Sequence, residues 1–150
     1  MKQVYLETIL LIERLHRRFL DVVKSELDRL KVEDINNVQT LILYNIGGDQ
    51  LTVGELTNRG YYLGTNVSYN VKHLVETGYL LQEKAPHDKR STRVKLSDKG
   101  AALVQKMDAL IERNVADLDK RSPGLAFLTE VNKSMHNLER FWTEYMNRLF

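Results

Sequence analysis

From position 128 to 149 the apolar residues Leu128, Val131, Met135, Leu138, Trp142, Tyr145 and Leu149 recur at intervals of 3, 4, 3, 4, 3 and 4. A strict heptad of this kind places one continuous stripe along a helix, and the stripe must be covered by another helix. A second amphipathic helix is predicted over 4–30. There Ile9, Ile12, Leu15, Phe19, Leu27 and Leu30 keep helical spacing, with Glu13, Arg17, Arg18 and Asp21 among them. The C-terminal stripe can pack on the first or fifth helix of its own chain, or on a second copy. A chain of 150 residues has few places to bury two long terminal helices as well as its central ones. The expectation is therefore a homodimer, with Leu128, Met135, Leu138, Trp142, Tyr145, Leu149 and Ile9 at the interface.

Between these ends the chain reads as short, punctuated elements. Asp34 is the predicted N-cap of a second helix running to Ile46 and stopped by Gly47-Gly48. Thr52 and Glu55 form a capping-box pair that opens a short third helix ending before Gly60. After the connector GYYLG at 60–64, Val67, Val71, Leu74 and Val75 predict a fourth helix over 65–77, stopped by Thr77-Gly78. Its other face carries Thr65, Asn66, Ser68, Tyr69, Asn70, Lys72 and His73. Two strands follow at 79–84 and 92–96, joined by APHDKRSTRV. In the second, Val94 and Leu96 alternate with Arg93 and Lys95, as a half-buried strand requires. Ser97 caps a fifth helix to about Arg121, and Ser122-Pro123-Gly124 separates it from the last. The fold class is mainly α with a small β-hairpin.

Several chemistries find no support. The chain has no cysteine, which excludes disulfides and thiolate metal sites and fits a reducing cytoplasm. His16, His73, His87 and His136 lack metal-ligand spacing. No phosphate-binding glycine loop or nucleophile-elbow motif occurs. No catalytic residue, metal or cofactor is expected, and the chain is read as a non-enzyme. No apolar run approaches the ~20 residues that span a bilayer, so no membrane association is expected.

Charge is what singles out the middle. Residues 59–99 carry 8 Lys/Arg against 4 Asp/Glu, while residues 1–58 carry 7 against 9 and residues 100–150 carry 7 against 7. A short helix, a turn, a polar-faced helix and a basic hairpin form a helix-turn-helix followed by a β wing. A helix fits the major groove of B-DNA, where hydroxyl and amide side chains read base edges. The hairpin can reach the adjoining minor groove, whose negative potential attracts arginine. The DNA-contacting set is then Thr65, Asn66, Ser68, Tyr69, Asn70, Lys72 and His73 on the helix, and Asp88, Lys89, Arg90 and Arg93 on the wing. Lys72, Lys89 and Arg93 supply chiefly phosphate affinity. Tyr61 and Tyr62 are read as packing beneath the turn.

These residues resemble the MarR family of winged-helix transcriptional regulators over most of the chain. The resemblance rests on L-T-x-x-E-L at Leu51–Leu56, on Leu74-Val75-Glu76-Thr77-Gly78-Tyr79-Leu80, on Leu96-Ser97-Asp98-Lys99-Gly100 and on D-x-R at Asp88-Lys89-Arg90. It implies a single domain over 1–150, with dimerisation helices at 1–33 and 124–150, a winged helix-turn-helix at 34–100 and a connecting helix at 97–121. It also implies that Arg90 enters the minor groove and that Asp88 braces the wing by an ion pair. Asn66 stands where the family commonly has threonine, Tyr69 where it has a basic residue and His87 where arginine is frequent. The implied function is a homodimeric, cytoplasmic repressor on a pseudo-palindromic operator in double-stranded DNA. A small aromatic ligand binding between the dimerisation helices and the winged-helix lobe is a further implication. His16, Arg17, Thr40 and Tyr44 are candidates to line that pocket, or are ordinary core and surface polar residues. The alternative for the whole chain is a winged-helix scaffold that contacts protein and binds no DNA.

Overall fold

The structure, a computed structural model of the chain, describes every residue except 61, 63, 86, 87 and 122, and every side chain except those and 64, 65, 85 and 88–90. The expectations for Tyr61, His87 and Ser122 fall outside the described residues. Those for the side chains of Thr65, Asp88, Lys89 and Arg90 do as well. The elements in order are α1 (Lys2–Arg29), α2 (Asn37–Ile46), β1 (Leu51–Thr52), α3 (Val53–Gly60), α4 (Gly64–Glu76), β2 (Leu80–Ala85), β3 (Asp88–Leu96), α5 (Asp98–Asp119) and α6 (Phe127–Leu149). They fall into two compact units, Met1–Asp108 and Ala109–Phe150.

In the first unit the end of α1 supplies Val23 and Leu27 to a core completed by Ile42, Leu43 and Ile46 of α2, Leu56 of α3, Val67, Val71 and Leu74 of α4, Leu80, Val94, Leu103 and Met107. The N-terminal part of α1 contributes nothing to this core. Val4, Leu6, Leu10 and Leu15 are each more than half exposed there. The turn after α1 places Lys31 at φ 58°. Its N–H bonds the Asp28 carbonyl and the Val32 N–H bonds that of Leu27, the paired pattern that closes a helix with a left-handed residue.

Asp34 does not cap α2. The cap is Asn36, whose side chain accepts from the Gln39 N–H while the Gln39 side chain accepts from the Asn36 N–H. An N-x-x-Q box satisfies two orphan donors at once, which a lone aspartate two residues earlier cannot match. The Thr52–Glu55 box forms as expected. Leu51 and Thr52 also make a short strand that the sequence reading lacks, pairing with Val94 and Arg93. The sheet is therefore three-stranded and antiparallel, in the order β1-β3-β2. Its β2–β3 register runs from Leu80 opposite Leu96 to Lys84 opposite Thr92, then shifts so that Ala85 lies opposite Asp88. β3 thus begins at Asp88, and Lys89 and Arg90 belong to a strand with irregular pairing, the arrangement of a β-bulge.

Gly78 ends α4 at φ 84°, with its N–H on the Val75 carbonyl and the Tyr79 N–H on that of Leu74. The chain is thereby turned directly into β2. Ser97 caps α5 as expected, accepting from the Gly100 N–H at 3.1 Å. Gly100 packs so closely on the chain just before β2 that an added Cβ would lie 2.2 Å from the Tyr79 carbonyl oxygen.

In the second unit α6 has no buried residue. Met135, Tyr145 and Leu149 of its heptad are 39, 51 and 57% exposed. No described helix is long and apolar enough to cross a membrane. Among the described residues no group of three or more His, Asp or Glu could hold a metal ion.

Because the atom facing Gly100 is backbone and cannot swing aside, Gly100→Ala is expected to lower unfolding stability by about 1–3 kcal/mol. Urea midpoints measure this, with Ala102→Ser on the exposed side of the same turn as the neutral control.

Candidate nucleic-acid interface

Helix α4 has three kinds of side chain. Val67, Val71 and Leu74 are 1, 4 and 0% exposed and anchor it to the core. Asn66, Ser68, Tyr69 and Lys72 are exposed on the opposite side. Asn70 and His73, expected among the base-reading residues, lie on the flank and are committed internally. The Asn70 Oδ1 accepts from Gln39 Nε2 at 3.1 Å, and Gln39 is buried by its own capping box. The His73 Nε2–H donates to the Asp34 carbonyl at 2.9 Å. Helical period explains the difference, because positions 70 and 73 share the edge turned toward α2 while 66, 69 and 72 follow the outer row. The sequence shows polarity but does not show which neighbour a flank meets.

Asp34 is the residue that sequence reasoning placed in the wrong role. Its Oδ1 accepts from the Tyr79 hydroxyl at 2.7 Å and its Oδ2 from Lys99 Nζ at 2.9 Å. Lys99 also donates to the Thr77 carbonyl and stands 4.3 Å from the centre of the Tyr79 ring. One carboxylate thus ties the linker before α2 to β2 and α5, and its carbonyl ties in α4. Burial raises the Asp34 carboxyl, but the hydrogen bonds from Lys99 and Tyr79 outweigh it and hold the group below the ordinary aspartate value. Burial and the same hydrogen bond push the Tyr79 hydroxyl well above the usual tyrosine value. The turn from α3 is fixed separately. Arg59 donates to the Asn45 carbonyl and to Asp49 at 3.1 and 2.8 Å. Asn45 donates to the Tyr62 hydroxyl, consistent with Tyr62 as a packing residue.

The wing stands beside α4. Ser68, Val71, Lys72, Val75 and Glu76 of α4 line one groove with Thr52, Val53 and Gly54 at the start of α3, Gln82 of β2, and Ser91 and Thr92 of β3. The outer part of α4 and the inner face of the hairpin therefore open on the same side. Arg93 does not join this groove. Strand alternation puts Thr92 and buried Val94 on the α4 side and Arg93 on the reverse face. On that reverse face Glu83 is held below its ordinary value by hydrogen bonds from Gln50 and Lys95.

The four effector-pocket candidates are not brought together. Thr40 is buried and its hydroxyl donates to the Asn36 carbonyl at 2.8 Å. His16 is exposed. Arg17 pairs with Glu13 on the surface of α1. Tyr44 donates to Asp108 at 2.8 Å in a separate groove lined also by Gly47, Asp49, Lys95 and Val104.

A helix-turn-helix whose second helix shares a groove with a β-hairpin defines the winged-helix class of DNA-binding domains. A family model described as a winged helix DNA-binding domain matches residues 35–100. The exopolysaccharide II synthesis transcriptional activator ExpG of Rhizobium meliloti (strain 1021) is 38% identical over 143 residues, which cover 92% of this chain and 71% of that protein. MarR of Staphylococcus aureus, solved with salicylate and kanamycin, superposes with a TM-score of 0.77 at 20% identity, covering 95% of this chain and 94% of that one. A cysteine-to-serine mutant of MarR from E. coli, solved with operator DNA, superposes at 0.65 with 23% identity, covering 83% and 90%. The chain belongs to the MarR family of winged-helix transcriptional regulators. It is a DNA-binding regulator of transcription.

Since the folded Asp34 carboxyl lies below its unfolded value, its stabilising contribution is complete above the unfolded value of about 3.9 and is lost as pH falls through the folded one. Asp34→Asn should cost about 1 kcal/mol near neutrality, an exposed ion pair and one hydrogen bond. Its melting temperature should also fall less steeply than the wild type's below about pH 4. Thermal melts across pH 2.5–7 distinguish the two curves.

Proposed function

We propose that the chain acts as a homodimer that recognises a pseudo-palindromic site in double-stranded DNA. The two copies of α4 enter successive major grooves, about 34–36 Å apart. The observation that carries this reading is the groove shared by α4 and the hairpin, because a surface that must follow adjacent major and minor grooves needs both elements on one side. In each half-site Asn66, Ser68 and Tyr69 read bases, joined by Thr65 at the start of the helix. Lys72 and Lys89 bind phosphate, and Arg90 enters the minor groove with Asp88 beside it. Arg93, on the reverse face of the sheet, is left out of this set.

The dimer is supported by the exposed stripes. Apolar side chains on α6 and on the N-terminal part of α1 face water in the single chain, and a second copy offers each the same stripe in return. The protein works in the cytoplasm as a repressor by occupying promoter DNA. The R. meliloti relative, named an activator, fits the same dimer at a differently placed site. A small aromatic ligand that favours a half-site spacing mismatched to the DNA pitch would release it, to the extent of its differential affinity for the two spacings. The salicylate complex of the S. aureus protein supports that part of the reading.

Fluorescence-anisotropy titration of duplex fragments at two salt concentrations tests the whole reading. Affinity should fall steeply with salt and only some fragments should bind tightly. A winged-helix scaffold would show neither. Arg90→Ala is expected to weaken specific binding by about 1–3 kcal/mol with the dimer intact, and an unchanged dissociation constant removes Arg90 from the mechanism. Tyr145→Asp combined with Leu149→Asp should give a monomer by sedimentation and reduce operator affinity by roughly 10²-fold or more, because the second half-site no longer binds within the same molecule.

A further inference from the structure

We infer that Tyr69 is a specificity-determining residue that reads a thymine methyl group in the major groove. The inference rests on the DNA-binding reading above and adds a base to it. Tyr69 is 70% exposed and lies in the outer row of α4, one turn after Asn66 and one turn before Lys72. Among the described residues it has no hydrogen-bond or ion-pair partner. With Asn70 and His73 held by Gln39 and Asp34, the described side chains left on this face are Asn66, Ser68, Tyr69 and Lys72 at its centre. Tyr69 is the one large apolar surface among them.

The chemistry of the phenol narrows what it can read. A single hydroxyl cannot form the two-pronged contacts that identify guanine or adenine. Bases within a duplex are already stacked, so the ring cannot intercalate face to face without unstacking them. What remains is apolar contact with a base edge, and the thymine C5-methyl is the apolar group on the major-groove floor. Asn66, one turn toward the helix start, carries the amide fork suited to adenine. The outer row thus reads A·T pairs near the helix N-terminus, and Lys72 further along binds the backbone.

The test removes that methyl and nothing else. A binding site is first selected from random duplexes with the wild-type protein. Each thymine of one half-site is then replaced in turn by deoxyuridine. Burying one methyl group is worth about 0.8 kcal/mol, or a factor of about four. At one thymine per half-site, deoxyuridine should weaken wild-type binding about fourfold. Tyr69→Ala should bind the unmodified site about tenfold more weakly and be indifferent to that substitution, and Tyr69→Phe should keep the methyl sensitivity. The exposed position lets both variants fold, which circular dichroism checks. Uniform indifference to deoxyuridine in the wild type, or sensitivity that persists in Tyr69→Ala, overturns the assignment. So does loss of affinity in Tyr69→Phe without methyl sensitivity, which would make the residue a phosphate ligand. Failure of the wild type to bind any duplex in a salt-dependent way sinks the DNA-binding reading itself, and this assignment with it.

Discussion

The face of α4 proposed to meet DNA is held in place because contacts on its flank oppose rolling of the helix about its own axis. Its buried apolar stripe is narrow, a single row of Val67, Val71 and Leu74. Gln39 grips Asn70 and the Asp34 carbonyl grips His73, so the outer row is presented at one angle. A groove-reading helix needs this, since a shift of an ångström at the base edge breaks hydrogen-bond geometry.

The grips are themselves secured. Gln39 is held by the same side-chain pair that caps α2, so one amide serves both the start of one helix and the roll of another. Asn37 extends the connection by donating to the Leu20 carbonyl of α1 at 3.0 Å. Hydrogen bonds joined through the Asn36–Asn37 backbone therefore link the first helix, the α2 cap and α4. Asp34 secures the other end against β2 and α5. These are polar contacts of modest individual strength placed at the edge of a well-packed core, where geometry matters more than free energy.

Much of this was legible in the sequence wherever its cause is local. The Thr52–Glu55 box, the Gly78 stop, the Ser97 cap and the core stripe of α4 follow from residue types a few positions apart, and each formed. Asn36 was missed although its partner Gln39 sits at the right spacing, because Asp34 is an equally good cap by type and precedes it. β1 was invisible, since a two-residue strand is defined only by its distant partners Val94 and Arg93. Asn70, His73 and Arg93 illustrate the same limit. Periodicity told which residues share a face, including that Arg93 opposes Val94, but the neighbour each face meets is fixed by tertiary packing. The heptad on α6, with Met135, Tyr145 and Leu149 exposed and Leu128, Val131, Leu138 and Trp142 half-buried, was legible as a pattern. Its partner, intrachain or a second copy, was open in the sequence, and no residue of α6 is buried within the single chain.

The closure of the sheet also has an evolutionary reading. Because β1 pairs with β3, the segment from Leu51 to Leu96 returns to its own starting point, with turn, recognition helix and hairpin contained between the two ends. It shares one core with the rest of the lobe through Leu56, Val67, Val71, Leu74, Leu80 and Val94, and polar contacts to Asp34, Gln39, Asn45 and Lys99 fix its edges. Its outward-facing positions can therefore diverge between relatives, changing which DNA is addressed, while the core and edge contacts that seat it stay as they are.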